Sequence, residues 1–182
     1  MKKVPKLTEK IKIPEKVEIQ LNGTIVKAKG PKGETEQVIF HPKVSIKKEG
    51  NELVLEMESP DSYEKAILYS LKAHLKNLFI GVLSGYVYNL KVCSGHFPIT
   101  VKADKETVVV SNFLGEKIPR KAKILQHVNV KVQGDQIIVE GTNLNDVSQT
   151  AANIEIATRI LHRDRRRFQD GIFITSKAGV AL

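Results

Sequence analysis

The chain carries the same thirteen-residue pattern twice, 84 residues apart. The first copy runs from Val44 to Glu56 and the second from Val128 to Glu140, with identical valine, lysine, glycine and glutamate positions. Apolar residues occupy alternate positions on both sides of the glycine, which predicts two antiparallel strands joined by a tight turn. A hairpin repeated at this distance indicates an internal duplication. The chain is therefore expected to fold as two similar domains.

Each hairpin leads into a helical pattern. Asp61 with Glu64 has the form of an N-cap with a capping box, and Asn145 is the expected cap of the second helix. Apolar residues follow at helical spacing in both copies, which predicts one buried stripe on each helix. The expected stripes are Tyr63, Ile67, Leu71, Leu75 and Leu78 in the first helix, and Val147, Ala151, Ile154, Ala157 and Leu161 in the second.

Each half of the chain has predicted strands followed by a helix. This order predicts an α+β fold. We expect a tandem duplication of two similar domains, each an antiparallel sheet covered on one face by a helix. Residues 1–84, with a basic N-terminal segment, form the first predicted domain, and residues 85–182 form the second. Residues 85–92 are rich in aromatic and apolar side chains (Tyr86, Val87, Tyr88, Leu90 and Val92), which predicts a strand linking the two halves.

Arginine is confined to the second predicted domain. Six arginines occur in the chain, and five of them lie within residues 159–167 (Arg159, Arg163, Arg165, Arg166 and Arg167). Guanidinium is planar and permanently charged, and its forked donors match two phosphate oxygens at once. A solvated helix end, where cations complement the helix dipole, accounts for one or two of them. The cluster therefore favours a site that binds an anionic polymer, carried by the end of the second helix.

The composition supports a polyanionic partner. The net charge is +9 and the isoelectric point is near 9.6, values typical of proteins that bind nucleic acid. The longest nearly apolar run, residues 78–88, is much shorter than the roughly 20 residues that span a bilayer. A single cysteine excludes an internal disulfide and favours a reducing, intracellular compartment. We expect no membrane partner and no small-molecule substrate.

A lysine-rich turn lies in the first half. Residues 27–34 place Lys27, Lys29 and Lys32 around a Gly-Pro pair between two predicted strands. The turn is expected either to contact phosphates at a hairpin tip or to be an ordinary solvated hairpin. No lysine followed by serine or threonine stands at the spacing of a P-loop, so a nucleotide cofactor is not expected.

Cys93 and His96 are the residues closest to a catalytic or metal-binding pattern. One thiol and one imidazole fall short of a four-ligand metal site, and no second pair occurs in the sequence. The carboxylates are scattered, with no pair suited to general acid and base catalysis. We expect no enzyme activity, no metal and no cofactor. An enzyme that uses Cys93 with His96 is the alternative to a nucleic-acid-binding protein.

The end of the second half resembles a known family. The string from Arg166 to Lys177, with the form Arg-x-Phe-x-Asp-Gly followed by an apolar strand, is similar to the C-terminal signature of the ribosomal protein L6 family, in its archaeal and eukaryotic branch. The Lys-Gly-Pro-Lys-Gly turn at residues 29–33 is similar to the first-domain loop of that family. The resemblance covers about residues 8–177.

This resemblance implies a structural protein of the large subunit of the cytoplasmic ribosome. It would bind large-subunit ribosomal RNA near the sarcin–ricin loop, beside neighbouring ribosomal proteins and close to where translational GTPases dock. An RNA-binding accessory factor that acts off the ribosome is the alternative. The residues that the resemblance assigns to RNA are Arg163, Arg165, Arg166, Arg167, Phe168 and Lys177. Charge and loop position alone add Arg159, Lys27, Lys29, Lys32, Lys117, Arg120, Lys121 and Lys123.

Two residues of the signature allow further predictions. Phe168 is expected either to stack on an exposed base or to pack beneath the arginine-bearing helix, and packing is the favoured alternative. Asp170 and Gly171 are expected to form a turn in which the aspartate bonds the local backbone. The turn would return the chain into a strand over residues 172–174 and hold the arginines on a rigid corner.

Overall fold

The computed structural model of the protein describes residues 6–181. The chain divides into two compact units, Met1–Gly85 and Tyr86–Leu182. Each unit contains antiparallel sheets and one α-helix, so the predicted α+β tandem duplication is confirmed. Each unit divides its strands between two sheets, where a single sheet in each domain was expected. Part of the basic N-terminal segment, Lys6–Lys12, is a strand of the first unit.

The first unit consists of six strands and a helix. One antiparallel sheet has the order β1-β6-β5 and the other has the order β2-β3-β4. The elements are β1 (Lys6–Lys12), β2 (Glu18–Asn22), β3 (Ile25–Gly30), β4 (Gly33–Val38), β5 (Val44–Glu49), β6 (Glu52–Glu58) and α1 (Ser62–Ser84). Helix α1 contacts strands of both sheets, and the core of the unit lies between them.

Helix α1 begins as predicted. The Glu64 carboxylate accepts a hydrogen bond from the Asp61 N–H at 3.0 Å, which completes the capping box. The buried stripe differs from the prediction at its start, because Tyr63 is 77% exposed and Leu68 is fully buried. The stripe then continues beyond the predicted end at Leu78 through the buried Val82.

Helix α1 also has the length and composition of a membrane span. It has 23 residues, with a mean hydropathy of 1.2 over its most apolar window of 18 residues. Its apolar face nevertheless packs in the core of the first unit, where Leu68 and Leu75 are inaccessible to solvent. On another part of its surface Lys72 forms an ion pair with Glu9 of strand β1. These contacts are those of the core helix of a globular domain.

The second unit repeats this order and extends it. Its larger antiparallel sheet has the order β11-β12-β7-β13-β14, and its smaller sheet has the order β10-β9-β8. The elements are β7 (Tyr86–Cys93), β8 (Thr100–Ala103), β9 (Thr107–Ser111), a 3₁₀ turn (Phe113–Gly115), β10 (Arg120–Lys123), β11 (Val128–Gln133), β12 (Gln136–Gly141), α2 (Leu144–Ala157), β13 (Gly171–Lys177) and β14 (Val180–Ala181).

The sequence repeat corresponds to equivalent hairpins. The first copy is β5–β6 and the second is β11–β12, and both turns contain a glycine with positive φ, 59° at Gly50 and 58° at Gly134. Glycine adopts this conformation at the lowest steric cost, which favours it at the same place in both copies. The strand predicted at residues 85–92 is β7, the central strand of the second unit.

Helix α2 is shorter than predicted. Asn143 is the N-cap instead of Asn145, because its side-chain oxygen accepts from the Asn145 N–H at 3.0 Å. Val147, Ala151 and Ile154 are buried as predicted, but the helix ends at Ala157 and Leu161 is 64% exposed. Residues 163–167 consequently lie in a loop between α2 and β13, and the prediction that a helix carries the arginines is wrong.

Candidate nucleic-acid interface

The candidate site lies at one end of strands β7 and β13. These strands pair with Gly171 opposite Cys93. The residues that follow β7, 94–97, therefore meet the residues that precede β13, 158–170. The site combines two loops that are distant in sequence, since Gly95 and Asp170 are 75 residues apart.

Asp164 organises a turn that carries four of the arginines. We call this turn, residues 163–168, the arginine turn. The Asp164 carbonyl accepts from the Arg167 N–H at 3.1 Å and the Phe168 N–H at 3.0 Å. Its carboxylate accepts from the Arg166 N–H at 3.0 Å and from the Arg166 guanidinium at 2.8 Å. Arg166 lowers the pKa of Asp164 through these hydrogen bonds. Asp164 thus shapes the turn and partly neutralises one of its arginines.

Phe168 lies inside a stack of side chains. Its ring stacks on the His96 ring with centroids 5.0 Å apart and planes 25° apart. The Arg163 guanidinium lies over the same Phe168 ring, 4.9 Å from its centroid, in cation–π geometry. Phe168 is half-buried and packs against the 94–97 loop. Helix α2 ends at Ala157 and the arginines after it lie in a loop, so the prediction that Phe168 packs beneath an arginine-bearing helix is wrong.

Asp170 anchors the loop that follows β7. Its carboxylate is 2% exposed, accepts hydrogen bonds from the Gly95 and His96 backbone N–H groups, and lies 2.8 Å from His96 Nδ1. Burial acts to raise the pKa of Asp170. The hydrogen bonds from Gly95 and His96 outweigh burial, so this pKa lies below its ordinary value. The predicted local turn is therefore wrong, because the aspartate bonds backbone about 75 residues away. The predicted strand does begin at Gly171.

The last turn of α2 fixes the start of β13. Thr158 is 3% exposed, and its hydroxyl accepts from the Ile172 N–H at 2.9 Å while donating to the Glu155 carbonyl at 3.2 Å. Glu155 also accepts from the Ile174 N–H at 3.4 Å. These side chains accept hydrogen bonds from N–H groups of β13 at positions that do not pair with β14. They hold the arginine turn between two anchored elements.

Arg120 serves the structure of the second unit. Its guanidinium forms a two-pronged pair with Glu116, donates to the carbonyls of Ala157 and Arg159, and lies 4.4 Å from the centroid of the Phe113 ring. The two carbonyls belong to the C-terminal end of α2 and the residues after it. Arg120 therefore caps the helix, and its donors already have partners within the chain.

The two loops and α2 border an open groove with a volume of about 1250 Å³. We call it the arginine groove. Five cationic side chains line it, together with the two carboxylates of Glu155 and Asp170. The cations are Lys91, Arg159, Arg165, Arg166 and Arg167, and the aromatic residues are His96, Phe168 and Phe173. The structure thus brings together four of the predicted arginines and Phe168.

The other predicted residues lie elsewhere. Lys117 is exposed in the loop before β10, and Lys121 and Lys123 are exposed on β10. Lys177 is at the far end of β13 from the arginine turn, about 20 Å along the strand at ~3.3 Å per residue. None of these four lysines lines the arginine groove.

The lysine-rich turn of the first unit packs closely against helix α1. The Lys32 N–H donates to the Val82 carbonyl of α1 at 3.0 Å, and a side chain at Gly30 would lie 2.6 Å from that same oxygen. Glycine is therefore required for the close approach of this turn to the helix. Lys27 pairs with Glu36 at 2.9 Å across the hairpin, while Lys29 and Lys32 are exposed.

Sequence reasoning missed His96, Asp164 and Lys91, and also Glu155 and Phe173, which line the groove. His96 has no metal-ligating or catalytic partner nearby in sequence that would point to a role. Asp164, the one acid within the basic run, was a signal that could have predicted an Asp-initiated turn. Lys91 gives no local signal, since it resembles any lysine on an amphipathic strand.

The fold and the site together define a duplicated α+β protein with one strongly cationic groove in its second half. The family model for ribosomal protein L6 matches residues 13–85 and 97–171, once in each unit. The chain belongs to the ribosomal protein L6 family, as its C-terminal signature predicted.

Similar proteins in archaea cover nearly the whole chain. The large ribosomal subunit protein uL6 of Methanobrevibacter smithii is 44% identical over 94% of this chain and 96% of its own length. The proteins of the same name from Saccharolobus solfataricus and Methanosarcina mazei are 47% and 45% identical. These two matches cover 94% and 96% of this chain, and 95% and 99% of the respective relatives.

Proposed function

We propose that this protein is a constituent of the large subunit of the cytoplasmic ribosome and binds large-subunit ribosomal RNA through the arginine groove. The observation that carries the proposal is the state of its guanidinium groups. Arg159, Arg165 and Arg167 line the groove and are exposed, and their guanidinium groups have no hydrogen-bond or ion-pair partner within residues 6–181. A cluster of unpaired cations costs repulsion in the free protein, which a polyanion relieves.

The neighbouring arginines have a different role in this proposal. Arg166 is paired with Asp164, and Arg163 is over Phe168, so these two stabilise the turn that presents Arg165 and Arg167. Open guanidinium forks bind phosphate oxygens in pairs. A-form RNA hides its base edges in a deep, narrow major groove, so contacts to phosphates and 2′-hydroxyl groups dominate recognition.

The position on the ribosome is proposed from the family resemblance. Proteins of this type are expected near the sarcin–ricin loop, beside other ribosomal proteins and the docking region of translational GTPases. The names of the archaeal relatives support assembly into the large subunit. In this proposal the lysines outside the groove, including those of the first unit, add general attraction to the RNA.

Salt dependence of RNA binding tests the proposal. If six to ten phosphates are contacted, affinity for large-subunit RNA falls about 10³- to 10⁵-fold between 50 and 200 mM salt. Filter binding with in vitro transcribed archaeal large-subunit RNA measures this slope. A nearly flat salt dependence would contradict RNA binding through cations.

Sedimentation distinguishes the ribosomal role from an accessory role off the ribosome. A ribosomal protein is recovered in near-stoichiometric amounts with large subunits after a moderate-salt wash. An accessory factor remains mainly in the light fractions or occurs only on precursor particles.

The structure gives little support to a catalytic Cys93. The thiol lines the arginine groove beside His96, yet among the described residues it makes no hydrogen bond to that ring. A cysteine nucleophile requires such a base within reach. We propose that the protein is not an enzyme and that Cys93→Ser leaves RNA binding unchanged.

A further inference from the structure

We infer that His96 is a positioning residue that fixes the arginine turn through Phe168, and that the RNA bound there keeps its bases stacked. The inference rests on the proposed function and assigns the form of RNA that the groove accepts.

The first step concerns the His96 ring, which is held from two sides. Its Nδ1 lies 2.8 Å from the Asp170 carboxylate, and its backbone N–H donates to the same carboxylate at 3.3 Å. Asp170 is itself buried at the start of the sheet, directly before β13. The His96 ring is thereby tied to the rigid part of the second unit.

The second step concerns the faces of the Phe168 ring. The His96 ring and the Arg163 guanidinium both lie within about 5 Å of its centroid. Both groups lie over the ring, so they cover part of the surface on which a nucleobase would stack. Phe168 therefore offers little open ring surface to a nucleobase. Base stacking, which single-stranded RNA sites use, would require Arg163 or His96 to move.

The third step links this stack to the open arginines. Asp164 fixes the arginine turn from within, and His96 fixes its end through Phe168. Arg165 and Arg167 lie between these two supports. A turn fixed in this way loses less conformational entropy when its side chains bind. Its cations face the sugar–phosphate chain of an A-form stem, with no aromatic wedge to open that stem.

The test measures how tightly His96 variants bind RNA and how steeply this affinity falls with salt. The second quantity, the slope of log affinity against log salt concentration, is called the salt slope. The probe is a 20-base-pair stem-loop from the part of large-subunit RNA that the wild-type protein protects from hydroxyl radicals. His96→Ala is expected to weaken binding roughly 3- to 10-fold, the cost of reordering one or two side chains. The salt slope is expected to stay unchanged, since no phosphate contact is removed. Arg165→Ala, in contrast, lowers the slope by about one.

Two further variants separate positioning from general folding. His96→Phe keeps a ring against Phe168 and is expected to restore affinity to within about 2-fold of wild type, whereas His96→Asn keeps only a polar group and does not. The matched control is His127→Asn, because His127 is an exposed histidine of the same unit whose left-handed backbone asparagine tolerates. The Arg163 side-chain proton shifts caused by the Phe168 ring are expected to disappear only in His96→Ala and His96→Asn.

A fluorescent base reports on stacking. 2-Aminopurine at successive positions of the stem is expected to show no increase in emission when wild-type protein binds. An increase that Phe168→Leu abolishes would overturn the inference, and so would wild-type affinity in His96→Ala. A reduced salt slope in His96→Ala would make His96 a contact residue and overturn its positioning role. Absence of salt-dependent binding by the wild-type protein would instead overturn the proposed function and this inference together.

Discussion

The two units carry almost the same net charge but use it differently. Residues 1–85 hold fifteen lysines and no arginine against eleven carboxylates, while residues 86–182 hold eight lysines and six arginines against nine. In the first unit many lysines pair with glutamates, as Lys27 does with Glu36 and Lys47 with Glu56. In the second unit Arg159, Arg165 and Arg167 stay unpaired among the described residues. The type and pairing of cations, more than net charge, distinguish the second unit from the first.

The ends of the two helices show a second difference. In the first unit the backbone of the lysine-rich turn closes the end of α1, through the Lys32 N–H and the Val82 carbonyl. In the second unit a side chain does this, since Arg120 donates to the Ala157 carbonyl. A backbone group thus satisfies a terminal carbonyl of α1, whereas a side chain satisfies one of α2.

The largest expected effect is on RNA affinity of the second unit. The double variant Arg165→Ala with Arg167→Ala removes two open guanidinium groups, and each charged hydrogen bond contributes about 1.5–3 kcal/mol. Affinity for large-subunit RNA is expected to fall about 100-fold or more, with little change in thermal stability. Filter binding and circular dichroism measure the two quantities. A double variant that binds RNA with wild-type affinity would contradict the proposed difference between the two units.

Arg120→Ala is expected to destabilise the second unit by about 2–3 kcal/mol, because it removes the pair with Glu116, the cap of α2 and the contact with Phe113. Urea unfolding followed by circular dichroism measures the free energy of unfolding. Lys121→Ala is the matched control on the same strand, since its side chain is exposed, and it is expected to stay within about 0.5 kcal/mol of wild type. Equal losses in both variants would refute a capping role for Arg120.

A third prediction uses the buried carboxylate of the second unit. Because the pKa of Asp170 is lowered by folding, its stabilisation is complete above the unfolded value of about 4 and is lost as pH falls through the folded value. Unfolding profiles of wild type and Asp170→Asn are expected to differ near neutral pH and to converge in acid. A constant difference at every pH would show that the charge of Asp170 has no part in stability.

The smallest effect is expected from the first unit. Replacing Lys27, Lys29 and Lys32 together with alanine should weaken RNA binding less than about 10-fold, because these flexible ammonium groups are point charges and Lys27 is already paired. The measurement is the same filter-binding titration. A loss equal to that of the arginine double variant would place the lysine-rich turn in the principal RNA site.

Local signals in the sequence predicted much of the fold. The duplicated hairpins, the capping box at Asp61 and the strand over residues 85–92 each depend on residues close together in the chain. The end of α2 could not be predicted in this way. Ile160 and Leu161 continue an apolar helical spacing, and only the long-range bonds of Thr158 with Ile172 and of Arg120 with Ala157 end the helix earlier.

The sequence predicted which side chains cluster at the candidate site, but not the contacts that hold them in place. The clustering of the arginines indicated the surface, since guanidinium groups so concentrated are rare by chance. The roles of His96 and Asp170 depend on strand pairing between β7 and β13, which brings together residues 74 positions apart. The distinction between paired and open arginines likewise depends on the geometry of the turn at Asp164.

The pairing of β7 with β13 has a consequence for biosynthesis. β7 opens the second unit, and β13 follows only after nearly all of its other strands and helix α2 have been made. The buried aspartate before β13 has to reach the loop after β7 before the guanidinium groups are held in place. A nascent chain therefore cannot order the arginine turn until β13 has left the exit tunnel of the ribosome that makes it.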